Sequence, residues 1–225
     1  MELKLQVPTK LNEINLAKYQ EYLKVANSND DPEFIQQKMI QIFCGIDLKN
    51  IAQIMRKDVN EISESIGKMF TDTHNFLPRF KLNNIEFGFI PNLEEITNGE
   101  YIDITKYISN WDEMHKAMAV MFRPINQKAF GKYEIEPYIN SATYSEVMKF
   151  APLDVVLGAV VFFYNLANEL LKATLNYLEN NQEVRNILQR HNSIKNGDGI
   201  AQSMLLLKEM LLEFEMQQDF HFLKA

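Results

Sequence analysis

The hydrophobic pattern of this chain changes period more than once. At the N-terminus Leu3, Leu5 and Val7 alternate with Glu2, Lys4 and Gln6. Alternation predicts a strand with one wet face over residues 2–7, stopped by Pro8. From about Asn15 the spacing becomes helical, with Leu16, Tyr19, Tyr22 and Leu23 on one side. A polar breaker over 27–32 ends that helix. In the next, Phe34, Ile35, Met39, Ile42 and Phe43 are spaced for one face, with Gly45 as a candidate C-cap. Two short helices are predicted over 48–55, capped by Asp47, and over 59–69, capped by Asp58 with Glu61 placed for a capping box.

The period then drops to two. Residues 79–90 predict a hairpin, because Asn83-Asn84 tolerates the positive φ of a tight turn and Pro91 stops the second strand. A weak internal echo links Leu11-x-Glu13-Ile14 with Leu93-x-Glu95-Ile96. Chance with shared strand-to-helix grammar explains it about as well as an ancient duplication, which would place both preceding strands in one small sheet.

Residues 100–181 are mainly helical in pattern. The stretch WDEMHKAMAVMFRP, Trp111 to Pro124, concentrates charge on an apolar helix. Ser109 or Asn110 supplies a cap, and Asp112 and Glu113 suit the positive end of the dipole. Trp111, Met114, Met118 and Met121 form the inner stripe. Arg123 suits the carbonyl end, and Pro124 enforces the stop. Residues 124–137 predict an exposed connection. Helices follow over 141–150 and about 152–178. The most apolar stretch of the latter, 153–167, contains Asp154 and Asn165 and is shorter than the ~20 residues of a membrane span, so it predicts a buried core helix. The polar stretch 180–199, with Asn196-Gly197 and Asp198-Gly199, is the best linker. A final amphipathic helix over 200–217 aligns Ile200, Met204, Leu207, Leu211 and Phe214, either to dock on its own domain or to pair with another subunit. Phe220 lies in an aromatic tail expected to be tied down on a partner.

These elements predict a mainly α (α+β) chain: a helical bundle with a small antiparallel β element from residues 2–7 and 78–90. A main globular domain would span 1–181, divided into a helical segment over 1–76 and a hairpin-plus-helical segment over 77–181. A linker, 182–199, and a C-terminal helix and tail, 200–225, follow.

Composition narrows the function. The 225 residues are 46% hydrophobic with a net charge of -7 and no Lys/Arg-rich run, which disfavours direct nucleic-acid binding. The lone Cys44 permits neither an internal disulfide nor a cysteine zinc site, and its apolar surroundings predict a buried thiol. No phosphate loop, dinucleotide fingerprint or nucleophile elbow is present. His74, His115, His191 and His221 are isolated in sequence, so no metal or cofactor is expected. Asp112 and His115 are three apart and could meet on a helix; with Arg123 they form the one enzymatic alternative. The carboxylate pairs Glu94-Glu95, Glu134/Glu136 and Glu100 with Asp103 read first as solvated faces. Met114, Met118 and Met121 suit a core, or less often an adaptable groove for a partner.

Two segments carry a resemblance. Residues 88–104, GFIPNLEEITNGEYIDI, and 115–124, HKAMAVMFRP, resemble a group of tailed-bacteriophage proteins, as do the EINLAKYQEYL run at 13–23 and the Gln37-Lys38 to Gly45 helix. The similarity covers about residues 7–170. It implies a non-enzymatic virion, head–tail or tail component, or a tail assembly chaperone absent from the mature particle. It implies a location in the virion after synthesis in the host bacterial cytoplasm. Expected partners are other phage structural or assembly proteins and further copies of the chain, with no membrane and no direct nucleic-acid contact; a DNA-packaging or portal-bound factor is a third possibility. The group brings no catalytic residues. The residues expected at partner contacts are His115, Arg123, Tyr101, Asp103, Leu207, Leu211, Phe214 and Phe220.

Overall fold

Short polar side chains set the helix starts in the computed structural model, which describes residues 5–180. Asn15 accepts the Lys18 N–H and opens α1 (Leu16–Asn27), while Asp31 accepts the Glu33 N–H and opens α2 (Pro32–Cys44) with Pro32 in its first turn. Gly45 ends α2 in the left-handed region at φ 68°. α3 is shorter than its pattern suggested (Leu48–Ile51), and α4 (Arg56–Thr71) begins before Asp58, which therefore lies in the first turn instead of capping it. Ile40, Ile46 and Ile51 form the core of this region, with Leu5, Leu48, Ile54, Val59 and Ile62 packed around them.

The mainly α architecture with one small antiparallel sheet agrees with the sequence reading, and the expected hairpin over 78–90 forms half of that sheet; the other half comes from residues 122–135. Its strands are β1 (Arg79–Leu82), β2 (Ile85–Phe89), β3 (Phe122–Ala129) and β4 (Lys132–Ile135), in the order β1-β2-β3-β4. Residues 5–7 of the expected N-terminal strand are not in it; Leu5 packs instead on the α2–α4 core. The expected connection over 124–137 is the β3–β4 hairpin. The echoed Leu-x-Glu segments are both single 3-10 turns, Leu11–Glu13 and Leu93–Glu95; among the described residues, β2 precedes the second turn and residues 5–7 before the first join no sheet.

Between β2 and β3 lie α5 (Asn98–Tyr107), a 3-10 turn (Trp111–Glu113) and α6 (Met114–Met121); α7 (Ala142–Met148) and α8 (Leu153–Asn180) follow β4. The expected helix from Trp111 to Arg123 thus ends at Met121, and the chain passes directly into β3. Met114, Met118 and Met121 are fully buried, as their stripe predicts. The sheet adds an aromatic layer: Phe80 stacks on Phe87, and Phe122 meets Phe80 and Phe89 edge-on.

The described residues divide into two units, one to Ala159 and one from Val160. The first unit is closed by chain pairing near its ends: Leu16 N–H donates to the Ala151 carbonyl at 3.0 Å, and Leu153 N–H donates to the Ile14 carbonyl at 2.9 Å. The first turns of α8 are core, with Leu153, Val155, Val156, Leu157 and Ala159 buried. The apolar stretch exceeds the 153–167 read from sequence. Leu153–Thr174, 22 residues at mean hydropathy 1.4, is long enough to cross a bilayer by length and composition. The expected linker 182–199 and C-terminal helix, with Leu207, Leu211, Phe214 and Phe220, lie outside the described residues.

Candidate functional site

Residues 88–104 and 115–124 lock together through a buried ion pair. Thr97 caps α5 in a capping box: its hydroxyl oxygen accepts the Glu100 N–H at 3.2 Å, and the Glu100 carboxylate accepts the Thr97 N–H at 2.7 Å. Glu100, only 4% exposed, then pairs across the core with Arg123, Nη2 to Oε1 at 2.6 Å. The Arg123 guanidinium also donates to the Glu136 carbonyl at 2.7 Å and to the Val120 carbonyl at 2.9 Å. That last bond satisfies an acceptor near the end of α6, so Arg123 serves the helix terminus from its place in β3.

Tyr138 closes the cluster. Its ring lies 5.6 Å from the Arg123 guanidinium, and its hydroxyl donates to Asp103 at 2.6 Å. Gly99 makes room: a Cβ there would stand 3.1 Å from the Tyr138 ring. The Tyr144 hydroxyl donates to the Glu136 carboxylate. Three residues of the GEYID segment therefore have structural duties: Gly99 by absence of bulk, Glu100 by charge, and Asp103 as an acceptor.

The electrostatics hold the two carboxylates in the charged form and the two phenols in the neutral form. Burial works to raise the Glu100 carboxyl, but the Thr97 N–H and hydroxyl and the Arg123 guanidinium outweigh it and hold it below the usual carboxylate range. The Tyr138 hydroxyl holds Asp103 low as well. Burial and the Asp103 carboxylate raise the Tyr138 phenol, and the Glu136 carboxylate pushes Tyr144 to about 12. General acid–base chemistry at neutral pH needs a group poised near 7. At neutral pH Glu100 and Asp103 are instead held ionised, and Tyr138 and Tyr144 neutral.

The enzymatic alternative, Asp112, His115 and Arg123, is not assembled: no hydrogen bond or ion pair joins the three side chains. Asp112 is exposed and 3.6 Å from Lys24. His115 Nδ1 lies 3.2 Å from Gln20 Nε2, which also donates to the Trp111 carbonyl at 2.6 Å. Gln20 Nε2 also donates to the Asp112 carbonyl at 3.1 Å, so its two N–H groups face two carbonyls and the imidazole beside them. Burial lowers the His115 pKa, with Lys149 adding to the effect. A folded-state value below the unfolded one, about 6.5, makes a stability contribution that is complete above that pH and lost as pH falls through the folded value. His115→Asn preserves an acceptor and removes the titration. The melting temperature of wild type should therefore fall relative to the variant between pH 7 and 5, and parallel curves would count against this role.

Of the residues expected at partner contacts, Tyr101 is 57% exposed, while His115 and Asp103 are half-buried and Arg123 is interior. Arg123, expected at a partner contact, has its side chain in the interior at the centre of the lock. Glu136, read from the sequence as part of a solvated face, is half-buried and serves Arg123 through its carbonyl and Tyr144 through its carboxylate. Tyr138 and Tyr144 were not anticipated; Asp103, the partner of Tyr138, lies 35 residues away. Cys44 is half-buried rather than buried, and burial pushes its thiol up to about 11.

A separate cleft of about 330 Å³ is lined by Lys10, Asp72, His74 and Asp154, among others. Burial raises Asp154, whose carboxylate accepts the Val155 N–H at 2.8 Å. Among the described residues no group of three His, Cys, Asp or Glu is placed to hold a metal.

Fold and site together define a mainly α protein with a small antiparallel sheet, held by a buried Glu100–Arg123 pair that half-buried Tyr138 and Asp103 extend. Comparison with protein-family models, curated proteins and solved structures gives no match to this chain.

Proposed function

We propose that this protein is a non-enzymatic component of a tailed bacteriophage, a virion or tail protein or an assembly factor, that works through protein–protein contacts. The observation that supports this reading best lies in the second unit. Leu166, Leu170 and Tyr177 of α8 are exposed at 39%, 68% and 65%. With exposed Ala173 between them, they are spaced four, three and four apart. That is the spacing of a coiled-coil seam, a stripe that stays on one side of a helix and suits a partner helix. The partner is another phage structural or assembly protein presenting an apolar helix face. The resemblance of residues 7–170 to phage morphogenesis proteins supports the same reading, as does the structural use of Glu100, Asp103 and Arg123.

Leu166→Lys with Leu170→Lys should abolish co-purification with the phage partner while the first unit keeps its melting temperature. Unchanged co-purification would remove the stripe as the binding surface.

A further inference from the structure

The sheet contains the same tight turn twice, built from different chemistry. Asn83 and Asn84 join β1 to β2 with φ of 48° and 65°; Phe130 and Gly131 join β3 to β4 with φ of 51° and 78°. Two-residue loops with both φ positive are type I′ hairpin turns. Asparagine and glycine enter the left-handed region at little cost, whereas a bulky side chain there is strained. The first turn uses residues suited to it, and the second places a phenylalanine at the equivalent position.

Phe130 returns nothing to the fold for that strain. Its side chain is fully exposed, at 105%, and the neighbouring residues 126–129 are exposed as well. Strain held at a solvent-facing aromatic points to a contact outside the molecule. The surroundings of the tip give the partner's sign. Lys128 and Lys132 flank Phe130, with Glu134 beyond them on β4; farther along the sheet Arg79 and Lys81 stand on β1 against Glu86. Glu86 is already engaged by Lys128 and, at 3.9 Å, by Arg79. A cationic, apolar tip thus projects from a chain whose net charge is -7.

We infer that the β3–β4 hairpin tip, anchored by Phe130, docks on an acidic surface of a second copy of this chain. The complementary features lie on consecutive segments of the chain itself: exposed Glu94 and Glu95, and exposed Tyr101 and Ile102 on α5. A contact between two different patches is heterologous and propagates into rings or open chains. The inference stands independently of the phage reading and uses a surface distinct from the α8 stripe.

Sedimentation velocity of the full chain over a range of concentrations tests it. Wild type should associate reversibly, and added salt should weaken the association. Phe130→Asn should weaken it by about tenfold or more, the effect of removing a buried aromatic anchor. The same variant should melt no lower than wild type, because asparagine suits the turn; this separates loss of contact from loss of fold. Lys132→Glu should also weaken association. A wild type that stays monomeric, or a Phe130→Asn chain that associates as wild type does, overturns the inference. So does Phe130-dependent co-sedimentation of monomeric protein with phosphatidylserine vesicles, which would assign the tip to an anionic lipid surface.

Discussion

Arg123→Ala should lower the stability of the first unit by about 3–5 kcal/mol, read from urea denaturation. The loss comes less from the missing attraction than from what remains. Glu100, at 4% exposure, would stay in the interior without its cation, and the Val120 and Glu136 carbonyls would lose the guanidinium donors. Replacing both ions with uncharged side chains of similar size, Glu100→Gln with Arg123→Met, should recover much of the loss, because buried pairs roughly break even against neutral packing. The pair also sets an acid limit. Glu100 is held below its unfolded value of about 4.3, so its contribution is complete above that pH and disappears as pH falls through the folded value. A loss from Arg123→Ala within the ~0.5 kcal/mol typical of surface substitutions would contradict the lock.

Gly158→Ala should destabilise by about 1–3 kcal/mol, the cost of overpacking a close contact. In a solvent-facing helix the same change gains about 1 kcal/mol. The sign inverts here because an added Cβ would stand 2.3 Å from the Asn75 carbonyl oxygen and 3.3 Å from the Phe76 Cα. Those atoms are backbone, so no side-chain rotation can relieve the clash, and the segment before β1 must move off α8. Thermal melts of Gly158→Ala and Gly67→Ala make the comparison, since Gly67 meets nothing within 4 Å. Stabilisation at both positions would rule out the close contact as the cause.

The features legible in the sequence are those that a few neighbouring residues decide. Asn15, Asp31 and Gly45 set helix ends through bonds and φ values local to themselves, and Asn83-Asn84 marked its hairpin by tolerating positive φ. The second hairpin was hidden twice. Arg123-Pro124 imitates a helix stop, and Phe130-Gly131 lacks the Asn or Asp that usually announces a type I′ turn. The N-terminal alternation misled for a different reason: Leu5 found an apolar cluster to pack on, and burial outweighs a strand pattern with no partner strand. The charged groups of the resemblance segments were visible, but not their use. Whether Arg123 faces solvent or Glu100 depends on α5 packing against α6, a tertiary fact that no spacing within either segment encodes.

The central claim is that this chain works by contact within a phage particle or its assembly intermediates. Quantitative mass spectrometry of purified particles, set beside infected-cell lysate from the same culture, tests it most directly. The expected result is peptides of this chain at a fixed copy number in particles, or, for an assembly factor, their presence in lysate bound to structural proteins and their absence from particles. A chain found in neither association, free in lysate at every stage of infection, would contradict it.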